Sequence, residues 1–404
     1  MATLLSRLRA KDKSGLFNSS SSSPSYPTGL AIFDHRIGAH VRVPDEDGNI
    51  IDEYDKLGIE GGTMNLFISE SGVGKTTLCV QIAASIAKQY DEAFVYHFDA
   101  ENASTASRIK EITKFTKREY DEKYVLNRED KTVDAILKVI YDIADEKREN
   151  RKQYEIVDDK LDDFGNKIVS LVPTVVIIDS LEMLQSKGAK MDELEGQTLG
   201  GRQALLLSQF LKKVNAVLKS ANIIVLMINH MKEKPQMGFT ATKSPLMYLS
   251  NTKNIPGGKA QFYLSNSIWL LDRIETFKYE ETGFHGFATR IINTKTRQNF
   301  SGASCELVFN QETGYSEALS LFRMAKENGL IEGRNPKCRL VGDDTGFTFD
   351  TRRMIDYLDN EEFMTAIRTS CMPIMKKMLS SYTQEELNRI AAEQEKEMAS
   401  NIAE

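Results

Sequence analysis

The sequence predicts an α/β fold: a doubly wound, mostly parallel β-sheet with a phosphate-binding loop, a short N-terminal arm before it and a small C-terminal unit with an acidic tail after it. Three observations carry this. Thr174–Asp179 (TVVIID) and Ala221–Asn229 (ANIIVLMIN) are apolar almost end to end, without the alternation of a half-exposed strand, as expected for strands covered on both faces. Segments of helical period separate such runs, the alternation that builds parallel βαβ units. The run Met64–Ile68 leads through a glycine-bearing turn straight into a helical segment at Lys75.

Composition narrows the class. With 404 residues the chain is long enough for one large core plus appendages, and 41% hydrophobic with 27% charged residues is ordinary for a globular protein. No apolar run reaches membrane-spanning length, and the first residues, MATLLSRLRAKDKSGLFN, lack the apolar block of a signal peptide. Cys79, Cys305, Cys338 and Cys371 show no paired spacing, so they read as reduced thiols of a cytoplasmic protein. A net charge of −6 means that any contact with nucleic acid must come from a local basic patch.

In chain order, residues 1–30 form an arm and linker: a short amphipathic stretch at Leu4–Leu8, then Ser19–Ser23 and two prolines. Both a disordered tail and an arm that docks on a neighbouring subunit fit this pattern. The core is expected over 31–330. Its elements are a strand at Met64–Ile68, a helix at Lys75–Tyr90, a strand at Ala93–Asp99, a helix at Ala103–Phe115, a strand at Thr174–Asp179, a helix at Arg202–Ser220 and a strand at Ala221–Asn229. The highly charged stretch 129–170 predicts a helical excursion with a loop at Asp162–Asn166. Strand patterns continue at Ser267–Arg273, Phe287–Thr294 and Cys305–Phe309, before a helix at Ser316–Asn328. Residues 331–404 make the C-terminal unit and its acidic tail.

The chemistry concentrates after the Met64–Ile68 strand. Ser69, Glu70, Ser71, Gly72, Val73, Gly74, Lys75, Thr76 and Thr77 form a phosphate loop in which Ser69 stands where the usual motif has its first glycine. Gly72 and Gly74 let backbone N–H groups turn inward around phosphate oxygens, and the helix start adds its own unpaired N–H groups. Lys75 is placed to reach the terminal phosphates of ATP, and the Thr76 hydroxyl to bind Mg²⁺. Asp179, ending an apolar strand on the same sheet edge, is the second candidate for the Mg²⁺ shell. Glu101, just past the FVYHFD strand, is a candidate for orienting or deprotonating an attacking water; a solvent-facing helix-start residue is the alternative.

The order of strand, phosphate loop, helix, FDAEN, VVIIDSLEML, a glycine-bearing loop and IINH resembles the RecA family over roughly residues 57–330, and is most similar to phage UvsX-type recombination proteins. The resemblance implies a RecA-like fold and makes Glu101 the catalytic carboxylate. His230, in Asn229-His230, becomes a γ-phosphate sensor coupled to a DNA loop. Gly201, Arg202, Ser208 and Lys212 match a first DNA-binding loop and the helix after it. Lys295, assisted by Arg297, matches lysines that reach across a subunit interface to the neighbour's ATP; solvated strand-edge charges are the alternative. Arg108 stands where the family usually has an adenine-stacking tyrosine, and a guanidinium can stack too.

A second region argues from its own residues. Residues 231–259 hold Lys232, Lys234, Lys243, Lys253 and Lys259 against the single acid Glu233, with Met237, Phe239 and Tyr248 interleaved. Lysines neutralise phosphates and aromatic side chains stack on single-strand bases. Gly257 and Gly258 precede a helical pattern and offer further backbone N–H groups. A flexible surface loop with incidental lysines is the bland reading. The expectation is an ATP- and Mg²⁺-dependent recombinase, a DNA-dependent ATPase that forms helical filaments on single-stranded DNA and pairs it with duplex. Further copies of the chain, single- and double-stranded DNA, a mediator or loader and a single-strand-binding protein are its expected partners, with no membrane. The rival is a hexameric replicative helicase. Against it, roughly 55 residues precede the core, few for a collar domain, and PGGKAQFY lacks an acidic pattern.

Overall fold

The computed structural model describes Leu4, Arg7 and residues 23–45, 47–162, 164–186, 199–233, 253–297 and 301–379. The chain enters through β1 (Ser25–Tyr26), α1 (Ala31–Ile37), the hairpin β2 (Ala39–Pro44) and β3 (Ile50–Lys56), and β4 (Ile59–Glu60). The doubly wound part follows: β5 (Met64–Ser69), α2 (Lys75–Lys88), β6 (Phe94–Asp99), α3 (Ala106–Thr113), α4 (Lys117–Lys123), β7 (Tyr124–Asn127), α5 (Val133–Glu149) and α6 (Arg151–Tyr154). Next come β8 (Glu155–Leu161), β9 (Lys167–Leu171), β10 (Thr174–Asp179), α7 (Leu199–Ala221), β11 (Ile223–His230) and the short pair β12 (Lys232–Glu233) and β13 (Lys253–Asn254). The last stretch holds α8 (Ala260–Leu264), β14 (Ser267–Phe277), α9 (Tyr279–Thr282), β15 (Gly286–Lys295), β16 (Ser304–Asn310), β17 (Gly314–Ser316), α10 (Glu317–Glu327), the hairpin β18 (Ile331–Arg334) and β19 (Lys337–Leu340), and α11 (Glu361–Lys376).

One nine-stranded sheet organises the molecule, in the order β17-β16-β15-β14-β5-β11-β10-β6-β7. From β14 to β7 every pairing is parallel, while β14, β15, β16 and β17 pair antiparallel with one another. The central strands β5, β10 and β11 are buried along almost all their length because both faces are covered, while β7 at the sheet edge is partly exposed. One apolar cluster includes Leu78 and Ile82 of α2, Ile109 of α3 and the C-terminal side chains Phe363, Ile367 and Met375. The other includes Ile136 and Ile140 of α5 and Leu207, Leu211 and Leu218 of α7. This is the doubly wound α/β fold that the strand composition predicts.

Three stretches differ from the sequence reading. In 129–170 the helical excursion ends at Tyr154, and the rest is the antiparallel hairpin β8–β9, turning at Asp162–Asn166 around Gly165 at φ +75. Exposed Asp159 and Lys160 and half-buried Asp158 mask the strand alternation, as does exposed Val157, while Ile168 and Leu171 are buried. In the 231–259 segment, β12 and β13 pair antiparallel, Lys232 opposite Asn254 and Glu233 opposite Lys253. Tyr26, in a stretch that reads as linker, is buried, and Ser25–Tyr26 pairs with β4. Among the described residues no helix is long and apolar enough to cross a membrane, and all four cysteines are free and buried.

Candidate nucleotide site and the path leading from it

The ends of four adjacent parallel strands build the site. Register sets Ser69 of β5 level with His230 of β11, and Asp179 of β10 level with Asp99 of β6. All four lie at the carboxyl edge of the sheet, where α/β proteins bind ligands. The loop after β5 turns at Gly72 (φ +76) and Gly74 (φ +89), a backbone region that favours glycine. Gly74 is also the N-cap of α2, and no side chain caps that helix start. Its first N–H groups are therefore available for an anion.

Lys75 is buried beneath this loop. Its Nζ donates to Ser69 O (3.2 Å), Ser69 Oγ (3.0 Å) and Glu70 O (2.9 Å), and lies 3.5 Å from His230 Nδ1. Burial lowers its pKa, opposed by Asp179 and Glu101. Thr76 Oγ1 donates to Asp179 Oδ2 at 2.6 Å, so hydroxyl and carboxylate already share one position. Burial holds Asp179 up, at about 6. A buried lysine, an uncapped helix start and a Thr–Asp oxygen pair fit a nucleoside triphosphate with Mg²⁺. Among the described residues there is no cluster of three metal-ligating side chains, but Mg²⁺ needs none when phosphate oxygens and water complete its shell.

Glu101 is pinned into the site from below. Asp99 accepts from Ala103 N (3.2 Å) and Ser104 N (2.8 Å), and Asp179 O accepts from Ala100 N (2.6 Å) and Glu101 N (3.2 Å). That turn presents the Glu101 carboxylate to His230, whose Nε2 donates to Oε1 at 2.7 Å. The bond holds Glu101 down at about 2. With its proton on Nε2, the ring leaves Nδ1 to accept from Lys75.

From His230 the polar path continues away from the phosphate loop. His230 N donates to Asn229 Oδ1 (2.9 Å), and Asn229 Nδ2 donates to Gln261 Oε1 (2.8 Å) and Pro256 O (2.9 Å). Gln261, fully buried, donates through Nε2 to Pro256 O (2.6 Å) and Gly258 O (3.0 Å). The sequence reading passed over Gln261. The available signal was an amide set among Phe262, Tyr263 and Leu264, because a buried amide needs partners.

The remaining candidates fall in several places. Arg108 donates to Gln311 O and Glu312 O, both at 2.6 Å, beside an open cavity of about 620 Å³ between α3 and the 311–313 turn. Thr77 lies on the first turn of α2, against Gly314. Lys295 Nζ donates to Phe262 O (2.6 Å), Tyr263 O (3.1 Å) and Ser265 O (2.7 Å), and Arg297 Nη2 to Tyr263 O (3.2 Å). Burial lowers Lys295 to about 8. Lys295 is level with Ile268, at the start of β14. Ile268 in turn is level with Leu66 of β5, so Lys295 sits toward the amino edge of the parallel strands, about 10 Å along the strands from Ser69 and two strands across. Its three carbonyl bonds hold it there.

On the DNA-binding side, Gly201, Arg202 and Lys212 are exposed on α7, and Ser208 is half-buried. Lys232 pairs with Glu182 at 3.1 Å. Lys259 is exposed at the N-cap of α8, which has only five residues. A Cβ on Gly257 would stand 2.7 Å from Leu207 Cδ1, and one on Gly258 2.7 Å from Ala204 Cβ, so close packing on α7 requires both glycines. The backbone of Lys253 lies in β13; Lys234, Phe239 and Lys243 lie outside the described residues.

Fold and site together define a RecA-like α/β protein with a phosphate loop at the switch between its strands. Residues 154–314 match the RecA N-terminal domain family. The chain is similar to Protein RecA of Heliobacterium modesticaldum, with 28% identity over 174 residues, 43% of this chain and 46% of that protein. It is similar to Protein RecA of Mycoplasma genitalium, with 28% identity over 150 residues (36% and 41%), and of Staphylococcus aureus, with 26% over 159 residues (39% and 42%). The matched stretches thus span less than half the length of these relatives. The family match begins after the phosphate loop and Glu101, so those assignments rest on the geometry above.

Proposed function

We propose that this chain is a RecA-family recombinase of the UvsX type, a DNA-dependent ATPase that forms filaments on single-stranded DNA and promotes homologous pairing and strand exchange. The observation that carries it is the run of polar contacts that links Glu101 to the His230 ring and, from the His230 main-chain N–H, passes through Asn229 and Gln261 to the carbonyls of Pro256 and Gly258. It joins the nucleotide site to the lysine-bearing segment. Bound ATP with Mg²⁺ supplies the phosphoryl group to be transferred. The chain's own residues hold it: loop N–H groups and Lys75 on the phosphates, Thr76 and Asp179 on the metal side.

While His230 holds Glu101 near 2, the carboxylate is a poor base. Release of His230 frees Oε1 to take a proton from water, and the same movement shifts the Asn229–Gln261 bonds that fix the 256–258 backbone. Lys295 and Arg297 face away from their own loop, so a head-to-tail neighbour is the place where they meet phosphates. Such contacts need not close, and an open helix on a single strand follows. Relatives named RecA, rather than helicases, support this choice over a hexameric motor.

The test is ATP turnover with and without single-stranded DNA, with imaging in a non-hydrolysable ATP analogue. Stimulation of about tenfold or more and open helical filaments are expected. Absent stimulation, or closed rings, rejects the proposal.

A further inference from the structure

We infer that Arg273 and Tyr315 are positioning residues of the phosphate cradle, holding the outer carbonyls of Gly72 and Val73 so that the following amide groups face inward. The inference rests on reading 69–76 as a phosphate loop and adds what orients it. In a planar trans peptide the C=O and the next N–H point in opposite directions. Fixing the Gly72 carbonyl outward therefore aims the Val73 N–H into the loop, and fixing the Val73 carbonyl aims the Gly74 N–H there. Both glycines have positive φ, where the backbone has unusual freedom to turn its peptide planes. A loop of this kind needs an external hold.

The structure shows two. Arg273 Nη2 donates to Gly72 O at 2.6 Å. Its guanidinium lies 4.1 Å from the centre of the Phe287 ring, which fixes the plane of the donor. Tyr315 Oη donates to Val73 O at 3.0 Å. Tyr315 is buried, and Gln81 of α2 holds both of its backbone groups, accepting from Tyr315 N at 2.7 Å and donating to Tyr315 O at 2.9 Å. The fit is close: a Cβ on Gly74 would stand 2.9 Å from Tyr315 Oη. Arg273 comes from β14 and Tyr315 from β17, so the antiparallel part of the sheet grips the loop that the parallel part produces. Arg273 also brings a full positive charge to the outside of an anion site. Lysine keeps that charge but loses the planar stack and the directed donor.

Arg273→Gln, Arg273→Lys, Tyr315→Phe and Lys75→Ala test it in the full-length protein. Titration with a fluorescent ADP analogue and Mg²⁺ gives Kd, steady-state ATP turnover gives kcat and KM, and ligand-free melting reports folding. Arg273→Gln and Tyr315→Phe should each raise Kd and KM about tenfold while kcat changes less than about threefold, because the cradle binds ground state and transition state alike. Arg273→Lys should fall between Arg273→Gln and the unsubstituted protein. Arg273 is exposed, so its substitution leaves the core intact. Kd within about twofold of the unsubstituted protein in both variants, or a lowered melting point with unchanged Kd, overturns the inference. If Lys75→Ala binds as tightly as the unsubstituted protein, the phosphate-loop reading fails, and the clamp with it.

Discussion

Lys75 is bonded to Ser69 through both the hydroxyl and the carbonyl, so the serine that replaces a loop glycine gives the lysine a resting partner within the loop. A lysine so placed can turn to phosphate oxygens without leaving a buried charge unpaired. Lys75→Ala should reduce ATP turnover by at least about a hundredfold; unchanged turnover would remove the site assignment. A second buried lysine plays no part in that chemistry. Lys147 Nζ donates to Val172 O (2.6 Å) and Ala221 O (3.0 Å), and burial lowers its pKa from 10.5 to about 7. Below pH 7 both folded and unfolded chains carry the proton, and the cost of burying the charge stands in full. Between about 7 and 10.5 the unfolded chain binds more protons, so stability rises with pH. Urea unfolding at pH 7 and pH 9 should show this gain in the unsubstituted protein and a smaller one in Lys147→Met; equal gains would contradict it.

At the level of elements, strand ends are fixed by polar side chains that reach between segments. Asn222, in the turn from α7 to β11, has φ +49 and donates through Nδ2 to Tyr26 Oη at 2.5 Å and to the carbonyl of Leu171. One amide thereby ties together β1, the end of the β8–β9 hairpin and the start of the central strand. Asn222→Ala should cost about 2–4 kcal/mol, combining unpaired buried partners with a strained backbone. Asn222→Gly relieves only the strain and should recover about 1 kcal/mol of that loss. Denaturant midpoints measure both, and equal stability of the two variants would remove the backbone share. In the β8–β9 hairpin the apolar residues fall on both faces, Val157 and Val169 exposed and Ile168 and Leu171 buried, with charges at Asp159 and Lys160 between them, so the sequence carries no clean strand period.

For the whole molecule, the decisive fact is that the phosphate loop and Lys295 occupy opposite edges of one sheet. Within one chain Lys295 is held away from the loop by its carbonyl bonds, whereas in the head-to-tail assembly proposed above each Lys295 would face a neighbour's loop. Mixing Lys75→Ala with Lys295→Ala should then restore turnover that neither shows alone. With equal amounts and random order, about one interface in four pairs an intact loop with an intact Lys295, which sets the expected recovery at about a quarter. No recovery would place Lys295 outside the reaction. Replacing Lys243 and Lys253 together by alanine should weaken DNA binding for every sequence and reduce the salt slope by about two. An unaltered slope would move the DNA path elsewhere.

The sequence by itself determined the strands and their chemistry. TVVIID and NIIVLMIN read as strands buried on both faces, and a loop of two glycines before Lys75-Thr76 reads as the opening of a helix, because these are local properties of side-chain polarity and backbone freedom. Asp179 was legible from the apolar run it ends, Glu101 only beside the neighbouring motifs, and His230 only through the resemblance to the RecA family. Tertiary structure alone decided what lies between them. That His230 bonds Glu101, that Gln261 carries the path on to Pro256, and that Arg273 and Tyr315 hold the loop from strands some 200 residues away depend on the register of non-neighbouring strands. That register follows from how the whole sheet packs, which no short window of sequence contains.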